Sequence, residues 1–167
     1  MSLHRVIVKP LHAADPDFNF DLMKHNQPGS YTLVIHIDQD VYLPVGRLGV
    51  VRFSCAYYTY TGSALDSGGL RARVGRHVRN VEKNRAHWHV DQLLGVGRVT
   101  EVWWRTGTER EECAWSASLA TIGTLHAPGF GASDCRCPGH LVRFENQNEV
   151  STGYVTLIRA HLRGGIQ

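Results

Sequence analysis

The chain has 167 residues, close to the ~150 residues typical of one domain, so a single folded unit is expected. Hydrophobic residues make up 43% and charged residues 20%, which excludes a disordered chain, a coiled coil and a collagen-like repeat. The net charge of +3 comes from 18 basic residues, and only Lys9, Lys24 and Lys83 among them are lysines.

The first 27 residues are mixed in character, and we interpret them as an extension that packs on a domain formed by residues 28–167. No basic, apolar and small-residue pattern of a signal peptide occurs near the start. The four cysteines are therefore expected to be thiols or metal ligands rather than disulfides, and the protein is expected in the cytoplasm.

Four strands are predicted in the first third of the domain. Residues 31–37 are β-branched and aromatic, and residues 41–45 are expected to pair back with them across the turn at 38–40. Residues 50–53 and 56–61 form the next two predicted strands. The prediction is a series of antiparallel hairpins.

A helix is predicted over residues 70–81 because apolar residues recur there at helical spacing. These residues are Leu70, Val74, Val78 and Val81. On a 3.6-residue wheel, Arg73 and His77 lie one turn apart at the edge of this stripe. Arg71, Arg76 and Arg79 are expected to point away from it.

This helix begins a strongly basic segment, residues 71–85. Its six basic residues stand against a single acid, Glu82, and they are Arg71, Arg73, Arg76, Arg79, Lys83 and Arg85. Arginine is planar, carries five donors and suits phosphate groups. One arginine-rich segment on an otherwise mildly acidic chain favours an anionic partner, nucleic acid first, although a solvated helix face explains the same pattern.

The second half of the chain is predicted to contain helices at 88–94 and 111–122, strands at 99–104 and 154–158, and a Gly-, Cys- and Pro-rich loop at 129–139. Residues 113–133 lack Asp, Glu, Lys and Arg, but their polar residues and Pro128 exclude a membrane span. The sum predicts an α+β fold, with a small, mainly antiparallel sheet flanked by helices.

Several uncommon motifs then occur in one order. The set Pro28-Gly29-Ser30-Tyr31, Tyr60-Thr61-Gly62-Ser63-Ala64 and Leu70-Arg71-Ala72-Arg73 resembles the GIY-YIG nuclease superfamily. The further motifs are Arg76-His77, Trp88-His89-Val90-Asp91, Glu112-Cys113, and Gly129 to Cys137 continuing through His140-Leu141. Together they resemble the branch catalogued as domain of unknown function 123, over most of residues 29–144.

The resemblance implies a GIY-YIG-like fold and a metal-dependent endonuclease. Residue by residue, it assigns Tyr31 and Tyr60 to the two signature tyrosines and Arg73 to the helix arginine. It assigns Glu112 to the carboxylate that holds Mg²⁺ or Mn²⁺. Glu109 and Glu111 lie close by, and Glu112 is preferred because apolar residues follow it at helical spacing.

This sequence departs from the superfamily pattern in two places. The middle residues of the signatures are Ser30 and Thr61, which are expected to face the core and to tolerate substitution. The segment between the signatures is longer than in the familiar nucleases. An inserted hairpin near residues 46–49 is expected to change the substrate or partner.

Phosphodiester cleavage needs an activated water, charge neutralisation at the phosphate and help for the leaving oxygen. The resemblance implies that a tyrosine accepts the proton of the water. A free phenol titrates near ~10, so this role needs a pKa depressed by about 3 units. Tyr60 is the candidate base, with His77 or Tyr31 relaying the proton or positioning the base.

Two further clusters have open interpretations. His87, His89 and Asp91 would bind a transition metal on an extended segment, whereas on a helix Asp91 would orient a histidine, which we favour. The resemblance keeps Ser63, His89 and Asp91 as functional neighbours. The second group is Cys113, Cys135, Cys137 and His140. These residues either form a tetrahedral zinc site or are simply buried thiols.

The leading hypothesis is an endonuclease that acts on DNA without a membrane partner. Relatives in the resembling branch are sometimes fused to an endonuclease III-type glycosylase, which suggests DNA repair and a repair-protein partner. The alternative is a binding module that holds DNA with the basic helix of residues 71–85 and does not cut. A structural protein organised by zinc is the third hypothesis.

Overall fold

The computed structural model describes residues 2–8, 26–79 and 89–164. These residues contain eight strands and four α-helices. The strands are β1 (His4–Ile7), β2 (Gly29–Ile37), β3 (Val41–Pro44), β4 (Val50–Phe53), β5 (Ala56–Ala64), β6 (Arg98–Thr106), β7 (Thr124–Leu125) and β8 (Leu141–Phe144). The helices are α1 (Gly69–Arg79), α2 (His89–Leu94), α3 (Glu112–Leu119) and α4 (Gln147–Gly164). The predicted α+β fold with a mainly antiparallel sheet is confirmed.

Six strands form one sheet in the order β1-β6-β2-β5-β8-β7. The central strand β2 is fully enclosed because β5 and β6 pair with it on either side, both antiparallel. Its side chains alternate between two buried clusters. Leu33 packs with Leu70 of α1 and Leu93 of α2 on one face. Val34 packs with residues of α3 and α4 on the other face.

The helix predicted at 70–81 is confirmed within the described residues as α1, where Leu70 and Val74 are fully buried. The predictions at 88–94, 99–104 and 111–122 correspond to α2, β6 and α3. Of the predicted extension over residues 1–27, residues 4–7 form β1 and pair with β6. Residues 9–25 lie outside the described residues. No described helix has the length and apolar character needed to cross a membrane.

The predicted pairing of residues 41–45 with residues 31–37 is wrong. β3 pairs instead with β4 in a separate two-stranded sheet, with Val41 opposite Phe53. Both edges of β2 are already occupied by other strands, so no edge is left for β3. The Asp40 carboxylate accepts hydrogen bonds from Arg52 and from the backbone N–H of Cys55, which directs the chain toward β4.

The strand predicted at 154–158 is also wrong, because these residues lie inside α4. Asn146 caps this helix, since its Oδ1 accepts hydrogen bonds from the backbone N–H groups of Asn148 and Glu149. The Glu149 carboxylate in turn accepts from the backbone N–H of Glu145. Val150 and Leu157, two helical turns apart, are both fully buried, so packing favours the helix over the local β-forming residues.

Candidate functional site

A cleft of about 170 Å³ opens at the end of the sheet where β2 begins and β5 ends. Its walls come from these two strands, α1, the start of α3 and the loop of residues 129–140. Eight residues predicted from the sequence line it together: Tyr31, Tyr60, Ser63, Arg73, Arg76, His77, Glu112 and His140. The fold therefore gathers into one concavity side chains that are widely separated in sequence.

The two tyrosines share a face because of the strand register. Tyr31 lies opposite Gly62, and Leu33 lies opposite Tyr60, so both phenols project on the side covered by α1. A Cβ atom at Gly62 would lie 2.7 Å from the Tyr31 hydroxyl oxygen. Gly62 therefore provides the space in which the ring of Tyr31 lies.

A hydrogen-bonded chain connects Tyr31 to α2. The Tyr31 hydroxyl lies 2.9 Å from Nε2 of His77, and Nδ1 of His77 lies 3.3 Å from a carboxylate oxygen of Asp91. An ionised carboxylate only accepts hydrogen bonds, so Nδ1 carries the proton of the neutral ring and Nε2 accepts from Tyr31. Burial lowers the pKa of His77, which favours this neutral form. Asp91 thus orients the histidine that receives the hydrogen bond of Tyr31.

Burial raises the pKa values of both tyrosines, whereas a tyrosine that acts alone as a base needs a lowered pKa. Desolvation raises the pKa of Tyr60 to about 12, and it raises the pKa of Tyr31 well above its usual range. Both are therefore neutral phenols at neutral pH, and the Tyr31 hydroxyl donates a hydrogen bond to His77. The Tyr60 ring lies edge-on to His77, with ring centroids 6.3 Å apart.

Three arginines line the cleft and make it suitable for an anion. Arg73 forms an ion pair with Asp66, and Arg110 bridges acidic groups at the rim. Arg76, which is predicted to point away from the buried stripe, is half-buried and lines the cleft with Arg73, one helical turn before it. Arg71 is exposed. The side chain of Arg79 lies outside the described residues, as do Lys83 and Arg85.

Glu112 is buried at the start of α3, and its carboxylate accepts a hydrogen bond from the Ser63 hydroxyl. Thr61 donates to the backbone carbonyl of Glu112, at 3.3 Å. The Ser30 hydroxyl lies 3.2 Å from that of Ser63 and accepts from the backbone N–H of Glu111, also at 3.2 Å. The two departures from the superfamily pattern do face the interior, but their hydroxyls hold the first turn of α3.

Glu112 offers a carboxylate to the cleft and is the residue there that could hold a hard divalent cation. Mg²⁺ is commonly held by one or two carboxylates, with water and substrate phosphate completing its shell. The Arg110 guanidinium lies 3.7 Å from the Glu112 carboxylate and 2.8 Å from that of Asp134, so positive charge already occupies the space between two acids. Glu111, the neighbouring candidate, instead pairs with Arg105. The fit therefore favours Glu112.

A second group of ligands adjoins the cleft, which His140 also lines. Cys113, Cys135, Cys137 and His140 each offer one ligand atom, and all four atoms lie within 4.8 Å of one another. Nε2 of His140 lies 3.5 Å from the sulfurs of Cys113 and Cys135 and 2.9 Å from that of Cys137. This Cys₃His group could hold a metal ion.

The structure separates the remaining predicted residues from the cleft lining. His89, on a helix, packs its ring against Phe130 instead of facing the cleft. His87, the third member of the predicted cluster, lies outside the described residues.

The sequence reasoning missed three charged residues of the lining: Asp66, Arg110 and Asp134. Asp134 lies within the motif from Gly129 to Cys137, so the sequence does contain a signal for it. Asp66 and Arg110 are exposed loop residues outside any motif, so the sequence contains no such signal for them.

One comparison with known proteins identifies the family of the chain. No curated protein and no solved structure matches it significantly. The family model described as Domain of unknown function DUF123 matches residues 30–162, which include both tyrosine strands, α1 and the Cys₃His loop. The chain therefore belongs to the DUF123 family.

Proposed function

We propose that the protein is a metal-dependent endonuclease that hydrolyses DNA phosphodiester bonds in the cytoplasm. The observation that carries this proposal is the convergence of two tyrosines, a histidine, cleft arginines and the buried Glu112 carboxylate in one cleft. These are the groups that phosphodiester hydrolysis requires: a proton acceptor, cations for the phosphoryl oxygens and a metal ligand.

Binding of the phosphate is assigned to the arginines. Arg73 and Arg76 lie one turn apart on α1 and project into the cleft beside the tyrosines. Guanidinium groups match the geometry of phosphoryl oxygens and keep their charge at any working pH. In this proposal they neutralise the charge that develops on the phosphate as the water attacks.

Proton transfer is assigned to the chain Tyr31, His77 and Asp91. Tyr31 takes the proton of the attacking water while its own proton passes to Nε2 of His77. Asp91 stabilises the resulting imidazolium through Nδ1. This route avoids a free phenolate, which burial disfavours. Tyr60, the base predicted from the resemblance, has no such acceptor at its hydroxyl among the described residues, so we assign it the positioning of the water.

Glu112 would hold Mg²⁺ or Mn²⁺, which would neutralise phosphate charge and stabilise the leaving oxygen. Ser63 orients the carboxylate of Glu112, and Thr61 holds its backbone. The Cys₃His group has soft ligands, which suit Zn²⁺ rather than Mg²⁺. The proposed enzyme therefore carries two metals of different kinds.

DNA is proposed as the partner because the lining arginines favour a polyanion, and a role in repair follows from the fusions known in the resembling branch. The same resemblance suggests a repair-protein partner. A non-cleaving binding module remains the second candidate, and the exposed Arg71 on α1 favours it, since this side chain can meet a phosphate backbone outside the cleft.

The test is a cleavage assay with matched arginine variants. Purified protein is incubated with supercoiled plasmid and with oligonucleotides that carry nicks, flaps or abasic sites, in Mg²⁺, Mn²⁺ or EDTA. We expect Arg73→Ala to lower the cleavage rate by about 100-fold or more, because a cation at the transition state is lost. Arg71→Ala, from the same helix but outside the cleft, should change it only a few-fold.

Cleavage that disappears in EDTA and in Glu112→Gln supports the enzyme. Binding without cleavage on every substrate contradicts it and favours the binding module. Equal rates for Arg73→Ala and Arg71→Ala would contradict the assignment of the cleft as the catalytic site.

A further inference from the structure

The Cys₃His group joins two distant parts of the chain beside the cleft, which His140 also lines. Cys113 lies in the first turn of α3, whereas Cys135, Cys137 and His140 belong to the loop before β8. Their ligand atoms nevertheless all lie within 4.8 Å of one another. In a tetrahedral zinc site, bonds of ~2.3 Å to sulfur and ~2.0 Å to nitrogen separate neighbouring S and N atoms by about 3.5 Å. His140 Nε2 lies 3.5 Å from the sulfurs of Cys113 and Cys135. The group is tighter around Cys137, whose sulfur lies 2.9 Å from Nε2 and 3.0 Å from the sulfur of Cys135.

The histidine is held in the orientation of a ligand. Its backbone N–H donates to the carbonyl of Phe130, and its own carbonyl accepts from the N–H of Thr61 on β5. The Nδ1 side of the ring lies beside Gly131, while Nε2 faces the sulfurs. Nε2 is therefore the nitrogen placed to bind a metal, as in other metal-bound imidazoles whose orientation the surrounding backbone fixes.

The loop is also tied to α3 next to the group. The Ser116 hydroxyl donates to the carbonyl of Gly139, at 2.8 Å, beside the histidine. Two of the ligands directly follow acids of the cleft in sequence: Cys113 follows Glu112, and Cys135 follows Asp134. These two acids face each other across Arg110. Whatever binds the four ligands therefore also sets the distance between the two acidic walls.

We propose that Cys113, Cys135, Cys137 and His140 bind one structural Zn²⁺, which holds the 129–140 loop against α3 and positions Glu112 and Asp134 in the cleft. The three thiols release their protons to solvent as the ion binds. All four tetrahedral positions are filled by side chains, so the centre is structural and binds no substrate. Zinc binding itself does not depend on the proposed nuclease activity; only its effect on cleavage does.

The first measurement is metal content. The whole chain is purified without chelators, and its zinc and iron are determined by elemental analysis. We expect about one zinc per chain, retained in Cys55→Ser and lost in Cys137→Ser and Cys113→Ser. Cys55 is a matched control because it is an exposed free cysteine outside the group. Substitution with Co²⁺ should give the absorption bands typical of tetrahedral thiolate coordination.

The second measurement reports loop position without DNA. Arg136 lies between two of the proposed ligands, and its side chain is exposed. With zinc bound, trypsin should cleave after Arg136 slowly, whereas removal of zinc by a chelator should accelerate this cleavage at least tenfold, as followed by mass spectrometry. Re-addition of Zn²⁺, and not of Mg²⁺, should restore protection.

Several results would overturn the proposal: protein without zinc that also fails to take it up, iron in its place, equal zinc in Cys137→Ser and Cys55→Ser, or a tryptic rate that ignores zinc. A chain that binds zinc but never cuts DNA would refute the nuclease and leave the zinc centre standing. A chain that cuts DNA without zinc would do the reverse.

Discussion

Gly62 lies beneath the ring of Tyr31, and this contact sets the depth of the tyrosine in the cleft. A Cβ atom at this position would lie 2.7–3.1 Å from three atoms of Tyr31. The tyrosine is buried and bonded to His77, so it has no room to move aside without losing that bond. Position 62 therefore has to be a glycine, because any side chain there would collide with Tyr31.

The substitution Gly62→Ala should therefore both destabilise the fold and impair the cleft. Overpacking of this kind costs about 1–3 kcal/mol of unfolding free energy. DNA cleavage should fall with it, because Tyr31 moves away from His77. Gly107→Ala is the control, since no atom lies within 4 Å of its Cβ position. Urea denaturation of both variants checks the difference, and equal stabilities would show that the Tyr31 ring yields to the methyl group.

Individual site residues were predicted through the motifs and not through spacing alone. Tyr31, Arg73 and Glu112 were recognised because several motifs occur in one order, whereas each residue alone is typical of a core or surface position. Arg110 could not be found in this way. Its role depends on two acids, one of them in a distant loop, and contacts of that kind are decided only by the tertiary structure.

At the level of elements, β5 and α3 are joined by hydroxyl groups. Thr61 lies within hydrogen-bonding distance of the carbonyls of Glu112 and His140, at 3.3 and 3.4 Å. A single buried side chain thus contacts both the helix that begins with Glu112, the proposed metal ligand, and the loop that ends at His140. These contacts give a structural reason for a threonine, Thr61, in the middle of the second signature.

Replacing this hydroxyl in Thr61→Val should cost about 1 kcal/mol of stability, because the buried carbonyl of Glu112 loses this donor, whereas the carbonyl of His140 keeps the backbone N–H of Thr61. Thr59→Val is a matched control on the same strand and face, where the hydroxyl bonds to Val142 far from the cleft. Both variants should lose similar stability in urea, but only Thr61→Val should weaken the Mg²⁺ dependence of cleavage. Equal cleavage by the two variants would mean that Thr61 does not position Glu112.

The elements that sequence patterns predicted are those decided by local periodicity. The helix α1 was predicted from its apolar stripe, and the β2 and β5 segments from their β-branched and aromatic residues. The failures arose where distant packing decides. The five residues at 154–158 favour a strand in isolation, but a cap at Asn146 and burial at Val150 and Leu157 make them helical. The partner of β3 depends on which strands already flank β2, and no local pattern encodes that.

For the whole molecule, buried neutral histidines make stability depend on pH. Burial lowers the pKa of His77 and of His126, so the unfolded chain takes up protons that the folded chain excludes. Their contribution is fully present above the unfolded value of ~6.5 and is lost as pH falls through the lower folded values.

Urea unfolding of the whole protein between about pH 7.5 and 5 should therefore show a falling free energy of unfolding, before most carboxylates titrate. His77→Gln keeps a polar partner for Tyr31 and removes one titrating group, so its slope should be shallower. A variant slope as steep as that of the parent would show that His77 is not held neutral in the folded protein.

The cleft draws its side chains from positions 31 to 140, a span that covers most of the chain. Its last wall, the loop at 129–140, is held by contacts to α3 and to β5, the second of which is made much earlier during synthesis. Residues that meet only across such long separations are brought together late, because the chain must first close large loops. A chain still emerging from the ribosome therefore has no complete cleft, and the proposed DNA-cutting activity begins only once synthesis has passed the final ligand, His140.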